Sequence, residues 1–177
     1  KVAVAFFGDG ALAEGAIHES LNIASLWKLP ILFVCEANGW SEFSPVNRQI
    51  AFDLASWCAS YGLAYSKVDG NDVLAVAAEA DELVAAVRAG HGPALLECTT
   101  FRVRGHYEGD AQRYRAGDDA VFRDPIAISR EYLVQAGIAE DEIARVADGV
   151  EQRVAAAVEA ARTGPAARFD AALADVY

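Results

Sequence analysis

The chain contains no methionine, three cysteines and only five prolines among its 177 residues. Cys35, Cys58 and Cys98 are odd in number and lack CxxC spacing, which argues against a disulfide framework or a thiolate zinc site and leaves them as core or near-surface thiols. Positive charge is scarce too: 15 Lys and Arg stand against 26 Asp and Glu, for a formal net charge of −11. Binding of nucleic acid draws on clustered cations, so this balance excludes a nucleic-acid partner. No apolar run approaches the roughly 20 residues of a membrane span, and no basic-then-apolar leader precedes the first strand. The expectation is a soluble, cytoplasmic protein with no membrane partner. Because Met is missing and Lys1 leads straight into "VAVAFF", the chain is also expected to be a processed piece, a split subunit or the ordered part of something longer.

What is present is apolar and rich in alanine. With 54% hydrophobic and 23% charged residues, one compact α/β domain with a tail fits better than a β sandwich. Val2 to Phe7 is a continuous apolar run ended by Gly8, the pattern of a strand buried on both faces of a parallel sheet. Residues 13–27 read as helix, with Ile17, Leu21 and Ala24 at helical spacing and Trp27 slightly off the stripe. "LPILFVCEA", residues 29–37, reads as a second buried strand, which completes a right-handed βαβ unit. Helix over 53–62, strand over 63–70, helix over 73–90 and strand over 92–103 follow, with Gly62 and Gly90 as helix stops. The fold class expected is therefore α/β, an open, mostly parallel sheet covered by helices on both faces. A polar, arginine-rich loop over 104–123 closes this first domain, and long loops in compact domains are usually functional. Residues 124–177 form a helical tail, with amphipathic helices over 124–137 and 140–163 and the closing segment "FDAALADVY".

Ligands of open parallel sheets sit beyond the carboxyl ends of the strands. Gly8, Asp9 and Gly10 occupy that end of the first strand, and Asn38, Gly39 and Trp40 that of the next. If the strands are adjacent, both tips meet in one crevice. Asp9 offers a hard anionic oxygen, Asn38 a neutral carbonyl oxygen, and nearby backbone carbonyls another, a set suited to Mg²⁺ or Ca²⁺ with water and phosphate completing the shell. The glycines let backbone approach a ligand, and amides opening the following helix can hold phosphate oxygens. Together they read as a metal-bridged diphosphate site. Taken alone, GDG is better served by a tight strand-to-helix turn with Asp9 as its cap.

The longer stretch resembles the thiamine diphosphate signature in the form it takes in E1 α subunits of 2-oxo acid and acetoin dehydrogenases. The resemblance is carried by Gly8, Asp9 and Gly10, then Gly15, Glu19, Asn22 and Ala24, then Leu29 and Pro30, then Cys35, Glu36, Ala37 and Asn38. The interval from Asp9 to Asn38 also agrees with that family. A second match comprises Thr100, Phe101, Arg102, Gly105, His106, Asp110, Tyr114 and Arg115. Two positions depart from the pattern: Ala37 replaces the first of two asparagines and Trp40 replaces a tyrosine. Neither removes a metal ligand, since the retained asparagine is the ligating one and a backbone carbonyl is indifferent to its side chain.

By this resemblance the cofactors are thiamine diphosphate and Mg²⁺. Asp9 and Asn38 would ligate the metal through their side chains and Trp40 through its carbonyl, with Gly8, Gly10 and Ala11 at the diphosphate. His106 would be the active-site histidine beside the cofactor, under an arginine-rich loop that orders over it. An imidazole there suits proton transfer near neutral pH. His18 is expected at a packing or subunit face and His91 at a helix end. The family resemblance further implies cleavage or oxidative decarboxylation of a 2-oxo acid or acetoin, with acyl transfer to a lipoyl group on an E2 partner. The "HYEGD" form of the loop looks more like acetoin dehydrogenases. No carboxylate here is an obvious partner for the cofactor's aminopyrimidine; in the family a β-type E1 subunit supplies that glutamate within a heterotetramer, so the chain would be catalytically incomplete alone. Two alternatives are a split thiamine diphosphate enzyme with transketolase-like or carboligase chemistry, and a catalytically silent α-like partner subunit.

Overall fold

In the computed structural model, which describes residues 1–115, 123–166, 168, 169 and 174, the chain runs β1 (Ala3–Gly8), α1 (Gly15–Leu26), β2 (Ile31–Ala37), the two-residue strands β3 (Trp40–Ser41) and β4 (Ser44–Pro45), α2 (Leu54–Tyr61), β5 (Ala64–Asp69), α3 (Val73–Arg88), β6 (Ala94–Thr99), α4 (Pro125–Gln135) and α5 (Glu140–Thr163). It divides into two units, Lys1–Ser129 and Arg130–Tyr177. In the first, four strands pair in the order β1-β2-β6-β5, all parallel, while β3 and β4 form a small antiparallel hairpin.

The alternation of side chains along β2 builds the two layers of the core. Phe33 and Cys35 point to one face, where they pack with Leu21 and Ala24 of α1 and Leu54 and Cys58 of α2. Leu32 and Val34 point to the other, where they meet Leu83 and Val87 of α3 together with Leu96 and Cys98 of β6. Helices thus cover both faces of the sheet. Acidic caps fix where two of them begin: Asp53 accepts the Ser56 N–H at 2.9 Å, and Asp72 accepts those of Leu74 and Ala75 at 3.0 and 3.2 Å.

Three local expectations need correction. β1 is not buried on both faces; it is the sheet edge, with Val4 47% and Phe6 70% exposed. An apolar run states what a strand tolerates, not how many neighbours it has, and α3 packs over β2 and β6 rather than β1. The first helix starts later than expected, because Asp9–Ala13 winds as a 3-10 turn before α1 opens at Gly15. β6 ends at Thr99 rather than at residue 103: its register with β2 runs out at Ala37, and the Thr100 N–H makes a last bond to the Ala37 carbonyl before the chain leaves the sheet.

In the second unit, α5 opens with Glu140, Asp141 and Glu142 and carries Arg162 in its last turn, charges that suit the helix dipole at each end. Arg130 and Glu140 form an ion pair. Residues 116–122 of the expected loop, and 170–173 and 175–177 of the closing segment, lie outside the described residues. Among the described residues, no helix is long and apolar enough to cross a membrane.

Candidate functional site

Adjacent parallel strands bring their carboxyl ends side by side, so β1 and β2 deliver Asp9 and Asn38 to one rim. Asp9 is 4% exposed. It does not cap the turn it opens; its Oδ2 instead accepts the Gly39 N–H from the neighbouring strand tip at 2.6 Å. Its Oδ1 is buried and has no hydrogen-bond partner among the described residues. Burial raises the Asp9 pKa above the ordinary carboxylate value; the Gly39 N–H and then the backbone amides of Asp9 and Gly10 oppose this shift, and the charge of Glu97 adds to it.

Of the two glycines flanking Asp9, Gly10 is required by space, whereas a Cβ on Gly8 would meet nothing within 4 Å. A Cβ on Gly10 would sit 2.6 Å from Ser41 Oγ and 2.7 Å from Ser41 Cβ, so the turn after β1 lies against β3. Gly39 takes φ +80°, the left-handed conformation that lets the chain double back into the hairpin. Asn38 Oδ1 accepts the Trp40 N–H at 3.0 Å. Two cavities meet at Asp9. One, of about 400 Å³, is lined by Asn38, Trp40, Glu97, Thr99 and Phe101 among others. The second, of about 290 Å³, reaches towards α2 and is lined by Cys35, Asp53, Tyr65, Lys67 and Glu97.

The described part of the loop after β6 is laced to itself and to the hairpin. Asp110 accepts the backbone N–H groups of His106 and Gln112 at 2.8 and 2.9 Å and the Tyr114 hydroxyl at 2.6 Å. The Tyr114 hydroxyl in turn accepts from Arg102, whose guanidinium also donates to the Glu42 carbonyl at 2.9 Å. Arg115 donates to the Arg102 carbonyl at 2.7 Å and lies over the rings of Phe101 and Trp40. The Tyr114 hydroxyl, then the two amides and Arg102, hold the Asp110 carboxyl below its ordinary range.

The structure therefore places Gly8, Asp9, Gly10, Ala11, Asn38 and Trp40 on one rim. His106 stands apart from the lining of both Asp9 cavities. It lies against the hairpin, with Nε2 3.7 Å from Glu42 Oε1 and its ring edge-on to Phe43. His18 packs edge-on to Trp57 and Phe52, and His91 is exposed just past α3. Sequence reasoning missed Glu97 with its partners Tyr65 and Lys67, and missed the hairpin. The signal for Glu97 was available: an acid inside "PALLECT", an otherwise apolar strand, has to be paired.

The donor set can be tested for a cation. Among the described residues, no cluster of three or more His, Cys, Asp or Glu could hold one. What the rim offers is one carboxylate with an uncompensated buried oxygen, one amide oxygen and backbone carbonyls. That set suits a hard divalent ion that takes its remaining ligands from phosphate and water, and it does not suit a soft metal.

A family model described as "Dehydrogenase E1 component" matches residues 1–169. The α subunit of acetoin:2,6-dichlorophenolindophenol oxidoreductase from Bacillus subtilis (strain 168) is 40% identical over 186 residues, covering 100% of this chain and 54% of its own. The α subunit of the pyruvate dehydrogenase E1 component from Rhizobium meliloti (strain 1021) is 39% identical over 171 residues, covering 93% and 49%. The chain spans about half the length of these curated relatives. Among solved structures, a transketolase from Pichia stipitis aligns at TM-score 0.49 and 26% identity over 55% of this chain and 14% of its own.

Proposed function

The chain belongs to the dehydrogenase E1 component family, and from that premise we propose that it supplies the part of an E1 α-type subunit that holds Mg²⁺ and the diphosphate half of thiamine diphosphate. The observation that carries this reading is the buried Asp9 Oδ1, left without a hydrogen-bond partner at a glycine-rich strand tip beside Asn38. A desolvated carboxylate oxygen in that state is costly unless a cation completes it.

Asp9 and the Asn38 side-chain oxygen would ligate the metal, joined by the Trp40 carbonyl. The amides of Gly10 and Ala11 would donate to diphosphate oxygens, and Gly8 leaves room for that approach. His106 would deliver or accept a proton at Nε2, and the Asp110 lattice would hold the loop that carries it. When bound, thiamine diphosphate would supply a carbon nucleophile for addition to a carbonyl and an electron sink for the pair released as the adjacent bond breaks, and Mg²⁺ would neutralise its diphosphate. The substrate would be a 2-oxo acid or acetoin, with the acyl group passing to a lipoyl group. The carboxylate facing the cofactor's pyrimidine would come from a β-type partner chain.

The test is isothermal titration of thiamine diphosphate into the chain assembled with its β-type partner, with and without Mg²⁺, followed by turnover of pyruvate or acetoin with dichlorophenolindophenol as acceptor. The expected result is metal-dependent binding that Asp9→Ala abolishes, together with dye reduction. Binding that ignores Mg²⁺, or that survives in Asp9→Ala, overturns the reading.

A further inference from the structure

Glu97 sits in β6, a strand with neighbours on both sides, at a register position between Cys35 of β2 and Lys67 of β5. It is only 9% exposed. Both of its oxygens are engaged: the Tyr65 hydroxyl donates to Oε2 at 2.6 Å, and Lys67 Nζ lies 2.7 Å from Oε1. These partners explain how the carboxylate is tolerated there. They do not explain why it is there, since Leu95 and Leu96 fill the same strand with no polar group to satisfy.

The surroundings supply a reason. Glu97 lines both cavities that meet at Asp9. Its counter-charge, Lys67, borders only the second of them and is the more solvated partner: the Lys67 side chain is 57% exposed and that of Glu97 only 11%. Solvent therefore screens the lysine more than the glutamate, and the corner keeps a net negative field. That field reaches Asp9, where the charge of Glu97 repels that of the second carboxylate. Two carboxylates share one poorly solvated corner, and one of them keeps an uncompensated oxygen.

We propose that Glu97, fixed by Tyr65 and Lys67, is a positioning residue for the divalent cation at Asp9, strengthening its binding through charge across the shared cavities without touching it. This rests on the reading of Asp9 as a cation ligand. A strut that merely ties β5 to β6 would use the same contacts, so the experiment has to separate charge from scaffold.

The measurement is Mn²⁺ binding, followed by electron paramagnetic resonance, to the chain in complex with its β-type partner and thiamine diphosphate. Glu97→Gln preserves the shape and an acceptor for Tyr65 but removes the charge, and it is expected to bind Mn²⁺ roughly three- to tenfold more weakly. Lys67→Gln removes the counter-charge and leaves Glu97 in place, and it is expected to bind Mn²⁺ about two- to threefold more tightly. A strut predicts weaker binding in both variants, and that pattern overturns the proposal. So does unchanged affinity in Glu97→Gln. If Glu97→Gln does not fold, the direction of change in Lys67→Gln decides alone. Failure of the unmodified complex to bind Mn²⁺ overturns the reading of Asp9 and this inference with it. Binding that Asp9→Ala abolishes and Glu97→Gln leaves intact overturns only this inference.

Discussion

Gly39 donates its backbone N–H to Asp9 Oδ2 at 2.6 Å, across 30 residues of sequence. This bond ties the tip of β1 to the tip of β2 and turns the other oxygen of Asp9 into the buried corner of the rim. Burial raises the folded-state pKa of Asp9 above its unfolded value, so the native state binds this proton more tightly. Stability is therefore lost as pH rises from the ordinary carboxylate range through the raised value. Above that raised value the cation-free site carries the full cost.

Asp9→Asn removes that charge while keeping the shape. With no cation present it is expected to melt at a higher temperature than the unmodified protein at pH 7 to 8, and the difference should vanish below about pH 4. Mg²⁺ with thiamine diphosphate at one hundred times Kd should stabilise the unmodified protein by about 2.7 kcal/mol and leave Asp9→Asn unmoved. Scanning calorimetry across pH reads both effects, and an equal ligand-induced shift in the two proteins would refute the assignment.

The approach of the turn to the hairpin can be tested at Gly10. A methyl group there would lie 2.6 Å from Ser41 Oγ and 2.7 Å from Ser41 Cβ, so Gly10→Ala is expected to cost about 1–3 kcal/mol and to displace the amides of the rim. Adding Ser41→Gly removes the obstructing atoms and should restore more than half of the loss. A double-mutant cycle in urea measures this coupling; purely additive effects would show that the two positions do not press on each other.

Much of this rim was legible in the sequence because its parts repeat a simple rule. The residue that follows a strand stands at the rim, and two successive strands ending at Gly8 and Ala37 place Asp9 and Asn38 together if they pair, as they do. The burial of β1 was not legible, because Val4 and Phe6 would read the same in an edge strand or a central one. Nor were the partners that Glu97 needs, since Tyr65 and Lys67 are about thirty residues away and reach it only because β5 lies beside β6. The hairpin escaped notice for a different reason: two-residue strands carry no periodicity, and their geometry follows from Gly39 and the close fit of Ser41 on Gly10.

All three cysteines are free and buried. Burial, with Glu97 and Asp53 adding to it, pushes the Cys58 thiol up to about 11, and burial raises Cys35 and Cys98 as well. At pH 8 the thiolate fraction of Cys58 is on the order of 10⁻³. The native protein is expected to react with iodoacetamide at least about a hundredfold more slowly than the same protein in guanidinium, where three equivalents react. Rapid labelling of one thiol in the native state, located by mass spectrometry, would show that its strand or helix opens without global unfolding.

Asp110 gathers two backbone amides and the Tyr114 hydroxyl onto one carboxylate, and Tyr114 links that group to Arg102 and so to the Glu42 carbonyl. Removing the carboxylate takes away three of the hydrogen bonds that close the turn from His106 to Tyr114 and leaves the bond from the Asp110 N–H to the Tyr107 carbonyl. Asp110→Ala is therefore expected to open the backbone at Arg104, Arg113 and Arg115 to trypsin, speeding cleavage there by roughly tenfold or more, with little change in the melting of the sheet. Tyr114→Phe keeps both amide bonds and should give a smaller increase. The pH dependence has a definite sign: because these partners hold the Asp110 pKa below its ordinary value, the contribution of the turn is complete above the usual carboxylate range and is lost as pH falls through the lowered value. Below that lowered value, an acid-stable protease should cut the unmodified loop as readily as it cuts Asp110→Ala. Equal trypsin cleavage of the two proteins at pH 8 would instead mean that Arg115, lying over the rings of Trp40 and Phe101, holds the loop without Asp110.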